Sequence, residues 1–202
     1  GKIIWGDQLM VLFSREILKE RPGATFISEV KCSQVMYDDI RKHGGHAVMW
    51  KAGHSLIKQK MKETKAALGG EMSGHIFFAD RYFGYDDAIY ASCRFVEILK
   101  KSGKKISELL SDLPVTFSTP EIRKECSEEK KFGIVEKAKK RFARDHEIID
   151  VDGVRILFGD GAWGLIRASN TQPVLVLRFE AKTQKRLDEI RSFVEGELEK
   201  LL

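Results

Sequence analysis

The chain has 202 residues, 43% of them apolar, and carries 35 Lys or Arg against 30 Asp or Glu for a formal charge of +5. That length allows one large domain or two small ones, and the apolar share is enough to bury a sizeable core. No apolar run is long enough to span a bilayer, no basic-then-apolar leader opens the chain, and three widely spaced cysteines (Cys32, Cys93, Cys126) exclude a disulfide framework and indicate reduced thiols in a cytoplasmic protein.

In chain order, residues 1–5 read as the end of a strand. The spacing of Leu9, Leu12, Phe13 and Ile17 predicts a helix from about Asp7, ended by Pro22-Gly23. A strand is predicted over 25–31, a helix over 34–43 stopped by Gly44-Gly45, a strand over 46–51 and a helix over 54–63. Residues 66–71 and 75–78 read as strand pieces around the turn 71-EMSGH-75, and a long helix over 86–101 follows. Strands alternate with helices throughout, which argues for an α/β/α layer on a mixed, mostly parallel sheet.

The rhythm changes near Pro114. Residues 115–124 read as strand-like and polar, and a charged helix is predicted over about 127–144. Three strands follow at 146–151, 154–159 and 162–168, with Asp152-Gly153 a hairpin signal between the first two. A fourth strand over 174–181 precedes a helix capped by Thr183, with Leu187, Ile190, Phe193, Val194, Leu198 and Leu201 on one face. The expected organisation is an α/β domain over 1–113 and a smaller α+β domain with an antiparallel sheet over 114–202.

The basic balance raises the prospect of an anionic partner. Most Lys and Arg, however, alternate with Glu on helix faces, as in 121–147, and read as ordinary solvated surface. No helix-turn-helix, RNP-type or zinc motif supports a nucleic-acid partner. The chemistry gathers in turns after strands, where α/β sheets bind ligands. Lys31 follows the first strand. Lys51, Gly53, His54 and Ser55 lie where a strand passes into a helix, whose first amides suit an anion. Glu71 and Ser73 can pair with neighbouring sugar hydroxyls, with the glycines around them letting a ligand approach the backbone. His54, Glu71 and His75 are metal-ligand types, but their spacing matches no tight metal motif and no metal site is assigned. In 167-RASNTQP-173, Arg167 can fork onto a phosphate while Ser169, Asn170 and Thr171 add short donors and backbone amides form a nest. The same residues also read as a plain turn between strands.

Taken in order, 51-KAGHSLIK-58, 70-GEMSGHIFF-78, 83-FGYDDAIY-90 and 167-RASNTQP-173 resemble the phosphomannomutase/phosphoglucomutase branch of the α-D-phosphohexomutases, over essentially the whole chain. The methionine between Glu71 and Ser73 resembles the form found in enzymes acting on both mannose and glucose phosphates. The resemblance implies reversible transfer of a phosphoryl group between the C1 and C6 oxygens of a hexose. That transfer runs through an enzyme phosphoserine, Mg²⁺ and a bisphosphorylated sugar such as glucose 1,6-bisphosphate. It implies that Lys31, His54, Glu71, Ser73 and His75 line the sugar site, with His54 or His75 assisting proton transfer. It further implies that Arg167, Ser169, Asn170 and Thr171 grip the non-reacting phosphate, with Arg178 supporting that loop from the next strand. The implied partners are mannose or glucose 1- and 6-phosphates, for a full-length monomer.

One departure is large. The family's catalytic serine and its aspartate-rich DGDGDR-type metal loop have no counterpart here; 38-DD-39, 86-DD-87 and 159-GDG-161 do not reproduce it. The chain therefore resembles the third and fourth domains only. The expectation is a C-terminal fragment that recognises sugar and phosphate, carries no metal ligands, is inactive alone and self-associates through newly exposed apolar surface. The competing expectation is a standalone module that binds sugar phosphates or a protein partner.

Overall fold

The computed structural model describes residues 3–202. The chain forms two compact units that part between Pro114 and Val115.

In the first unit the order is α1 (Gly6–Glu20), β1 (Thr25–Glu29), α2 (Gln34–Lys42), β2 (His46–Trp50), α3 (His54–Thr64), β3 (Leu68–Gly70), β4 (Ile76–Phe78), α4 (Ala88–Ser102) and the short α5 (Ile106–Leu109). The sheet runs β2-β1-β3-β4, with β1 parallel to β2 and β3, and β4 antiparallel to β3. Side-chain alternation sends neighbouring residues to opposite faces. Phe26, Leu68 and Phe78 pack with Met10 and Phe13 of α1 and with Met36 and Ile40 of α2. Ile27 and Phe77 pack on the other face with Ile57 and Met61 of α3. Both faces are covered, so apolar side chains occupy both faces of the sheet. Residues 3–5 are irregular, not strand, while residues 1–2 of that expectation lie outside the described residues.

The β3 glycines serve packing. A Cβ on Gly69 would lie 2.5 Å from Met61 Sδ, and one on Gly70 would lie 2.6 Å from Met10 Sδ. They let α3 and α1 close on the sheet from opposite sides. These two glycines are buried, whereas Gly74 of the same motif is exposed.

In the second unit the order is β5 (Phe117–Ser118), β6 (Ile122–Glu125), α6 (Glu128–Phe142), β7 (Glu147–Ile149), β8 (Val154–Leu157), β9 (Trp163–Ala168), β10 (Val174–Ala181) and α7 (Gln184–Glu199). The sheet is antiparallel: β7, β8, β9 and β10 form a meander, and β5 and β6 both pair with the free edge of β10. Ile134, Ala138 and Phe142 of α6 and Leu187, Ile190, Val194 and Leu198 of α7 cover Ile156, Ile166, Leu177 and Phe179. The strand expected over 115–124 is two short strands, separated by Thr119-Pro120, because proline cannot donate to a ladder. Thr183 caps α7 as expected, accepting from the Arg186 amide at 3.1 Å. Phe193 is 39% exposed and leaves the expected apolar face, stacking edge-on with Phe142 and Phe158 at the rim.

Candidate functional site

In the first unit, three turns meet at the carboxyl edge of the parallel strands. Residues 30–33 follow β1, 51–53 follow β2 and 71–75 follow β3. Glu71, 6% exposed, sits at the centre. One of its carboxylate oxygens accepts the Gly53 N–H at 2.9 Å, which ties the β3 turn to the start of α3. Its own amide donates to His75 O at 2.9 Å and its carbonyl accepts the Gly74 N–H at 3.0 Å, closing the 71–75 loop. The Gly53 amide is thus committed to Glu71 and is not open to an anion.

Ser73, His75 and His54 are exposed around this buried carboxylate, and the two imidazole rings lie 6.3 Å apart between centroids. His75 Nδ1 meets Asp86 Oδ2 at 2.6 Å. Lys31 lies beside the same loop, its ammonium 3.9 Å from Glu29 Oε1.

Glu29 carries no sequence signal as a site residue, since it reads as one position in a strand. It is fully buried under the site. Its carboxylate accepts the Lys31 N–H at 2.6 Å and the Met72 N–H at 3.3 Å, so one side chain holds two of the three turns. Burial pushes its pKa up from the ordinary carboxylate range, against the pull of the Lys31 ammonium and the two amides. Asp7, also buried, joins α1 to α2 by accepting the Gln8 and Ser33 amides.

In the second unit, residues 169–173 link β9 to β10. Arg167 is 6% exposed and its Nε donates to Asp152 Oδ2 at 3.0 Å, so one edge of the guanidinium is held and the planar fork has a fixed aim. Asn170 and Thr171 are exposed at the tip. The nest expectation is corrected: the Thr171 and Gln172 amides donate to Ser169 Oγ at 3.3 and 3.2 Å. Ser169 therefore shapes the loop from within. Arg178 lies on β10 opposite Leu165, on the sheet face that Arg167 shares.

Lys131 is an exception to the mostly solvated charge of 121–147. Its side chain is fully buried, and its ammonium donates to Ser169 O at 2.6 Å and Gln172 O at 3.1 Å, with Glu128 at 2.7 Å. The helix period places Lys131 with the inward residues Ile134, Val135 and Ala138, a signal available in the sequence but masked by the surrounding charge.

A model of the phosphoglucomutase/phosphomannomutase alpha/beta/alpha domain III matches residues 5–117, and one of that family's C-terminal domain matches residues 121–197. The chain is 46% identical over 202 residues to a phosphomannomutase/phosphoglucomutase of Pseudomonas syringae pv. tomato, covering 100% of this chain and 43% of that protein. It is 48% identical over 200 residues to a phosphomannomutase/phosphoglucomutase of Pseudomonas aeruginosa, covering 98% and 43%. A crystal structure of a phosphoglucomutase/phosphomannomutase family protein from Burkholderia thailandensis superposes with a TM-score of 0.90 at 40% identity, over 100% of this chain and 43% of that one. The chain spans less than half the length of these relatives. With domain-level matches running from residue 5 to residue 197, the chain belongs to the phosphoglucomutase/phosphomannomutase family.

Proposed function

We propose that this chain is the sugar- and phosphate-recognition part of a phosphomannomutase/phosphoglucomutase that interconverts hexose 1- and 6-phosphates. The observation that carries this reading is the strand-end cluster, in which the Gly53 N–H fixes Glu71 among Lys31, His54, Ser73 and His75. We assign sugar recognition to residues 1–113 and phosphate recognition to residues 114–202. Glu71 and Ser73 pair with neighbouring hydroxyls of the hexose, Lys31 supplies positive charge, and His54 and His75 supply groups that can hold a proton. Arg167, Asn170 and Thr171 engage the phosphate that does not react, and Ser169 and Arg178 support that loop. A fixed phosphate grip with paired hydroxyl contacts suits a bisphosphorylated sugar, such as glucose 1,6-bisphosphate, that is bound in either direction. Phosphoryl transfer demands positioning and charge stabilisation above all, and this chain provides the positioning.

Among the described residues no group of three or more His, Cys, Asp or Glu side chains is placed to hold a metal ion. The Mg²⁺ of the proposed reaction has no fitting ligand group among the described residues, and no step is assigned to it here. No helix among the described residues is long and apolar enough to cross a membrane. The three cysteines are free thiols, and we place the protein in the cytoplasm. We expect the chain to self-associate through exposed apolar side chains such as Phe83, Tyr85 and Ile89.

The test is titration of the ¹⁵N-labelled chain with mannose 6-phosphate at millimolar concentration. Amides of residues 53–55, 71–75 and 167–172 are expected to shift. A spectrum unmoved in all three segments overturns the reading. In a coupled assay the chain alone is expected to give no turnover of mannose 1-phosphate above the buffer blank.

A further inference from the structure

The segment between β4 and α4 carries two adjacent aspartates with different tasks. Asp87 is the N-cap of α4, accepting the Tyr90 amide at 2.8 Å and the Tyr82 hydroxyl at 2.6 Å. Asp86 faces the other way and meets His75 Nδ1 at 2.6 Å. We propose that Asp86 is the positioning residue for His75, setting which ring nitrogen of that imidazole faces a bound sugar; this role rests on the reading of the sugar site given above.

Three observations separate the pair from an ordinary surface contact. First, the backbone of Asp86 is fixed, because it bridges Phe77 in β4, antiparallel and two residues from His75. Second, the loop that carries Asp86 is braced. Tyr82 stacks on Tyr90 at 3.9 Å between ring centroids and 9° between planes, and the Gly84 amide donates to Phe78 O at 2.7 Å. Third, His75 is anchored on its own side by the Glu71 N–H to His75 O bond, which closes the loop around the buried carboxylate. Both partners are therefore held by backbone. Holding two long, free side chains in one geometry usually cancels the gain of a surface pair, and that cost is small here.

The chemical consequence follows from donor and acceptor rules. An ionised carboxylate only accepts hydrogen bonds, so the Nδ1 facing it carries the proton in the neutral imidazole. Nε2, on the far edge of the ring, then presents its lone pair. A sugar hydroxyl placed there can give up its proton: the O–H bond breaks, an Nε2–H bond forms and the electron pair stays on oxygen. The ring becomes an imidazolium, whose charge Asp86 stabilises, and the reverse transfer returns the proton to oxygen. Carboxylate-oriented histidines act this way in general acid–base catalysis. Exposed His54, on the neighbouring turn, has no carboxylate partner among the described hydrogen bonds and serves as an internal comparison.

Long-range ¹H–¹⁵N correlation spectra of the histidine rings in the whole 202-residue chain read the tautomer directly. In the unaltered chain at slightly alkaline pH, the neutral His75 ring is expected to have protonated Nδ1 and unprotonated Nε2. In Asp86→Ala, which leaves the backbone bridge to Phe77 in place, the His75 pattern is expected to move to the Nε2–H form or a mixture. The α4 amides and the His54 ring should stay unchanged. Addition of mannose 6-phosphate is expected to shift Nε2 of His75 more than Nδ1. An Nε2–H tautomer in the unaltered chain, or one indifferent to Asp86→Ala, overturns the positioning role. A ligand effect confined to Nδ1 overturns it too. If the tautomer follows Asp86 but mannose 6-phosphate moves no amide of 53–55 or 71–75, the sugar-site reading fails, and the catalytic meaning of the pair fails with it.

Discussion

Two buried charged side chains hold turns that carry candidate site residues, Glu29 in the first unit and Lys131 in the second. Glu29 folds at an energetic cost when ionised, because burial raises its pKa above the ordinary value of 4.5. Between that value and the raised folded one, the native state binds more proton than the unfolded chain, so the contribution of Glu29 to stability falls as pH rises through that window. Below it both states are protonated and the penalty is absent. Glu29→Gln removes the titration. The stability of this variant relative to the unaltered chain is therefore expected to rise as pH increases above the ordinary carboxylate value of 4.5, as read by urea unfolding. A difference that stays flat with pH contradicts the assignment. Lys131→Met deletes donors to the Ser169 and Gln172 carbonyls, and we expect a loss of about 2 kcal/mol. Amide shift changes should concentrate in 169–172, because the carbonyls the lysine holds lie there. Neither residue was legible as special in the sequence. Glu29 is one letter of a strand, and Lys131 hides in a run of charge whose other members are mostly solvated. Glu71, Ser73 and His75 were legible because three polar side chains gather in a glycine-flanked turn, and Arg167 because a guanidinium beside Ser-Asn-Thr between two strands suits a phosphate.

At the scale of elements, periodicity located nearly every helix and strand, and turn chemistry located most ends. What it missed has local causes. α5 is a single turn between α4 and β5, too short to show a period. α4 starts at Ala88, two residues later than the pattern suggested, because Asp87 turns its side chain back as a cap and Asp86 stays extended against β4. The β7–β8 hairpin shows how one residue fixes an element. Gly153 has φ +78°, and a Cβ there would sit 2.3 Å from Ile166 O in the next strand. Gly153→Ala adds the cost of a left-handed backbone to a clash with rigid backbone. We expect a loss of about 3 kcal/mol in urea unfolding, with β8–β9 amides losing hydrogen-exchange protection first. A loss well under about 1 kcal/mol shows that the hairpin relaxes around the methyl group.

At the scale of the molecule, each unit has its own core, one built on both faces of a mostly parallel sheet and one on a single face of an antiparallel sheet. Residues 115–202 made alone are therefore expected to give a dispersed amide spectrum and one cooperative urea transition; a collapsed spectrum means that this core needs the rest of the chain. The sequence by itself determined the element order, the change of architecture near Pro114 and the residue types at the strand ends. Those follow from side-chain periodicity and turn preference, which act over a few residues. Only the tertiary structure decided what each polar group is committed to. Gly53 gives its amide to Glu71, Ser169 takes the loop amides for itself, Lys131 goes under the loop between β9 and β10 and Asp86 goes to His75. Buried polar groups need partners, and which partner is in reach depends on contacts between segments far apart in the chain, which no local pattern encodes.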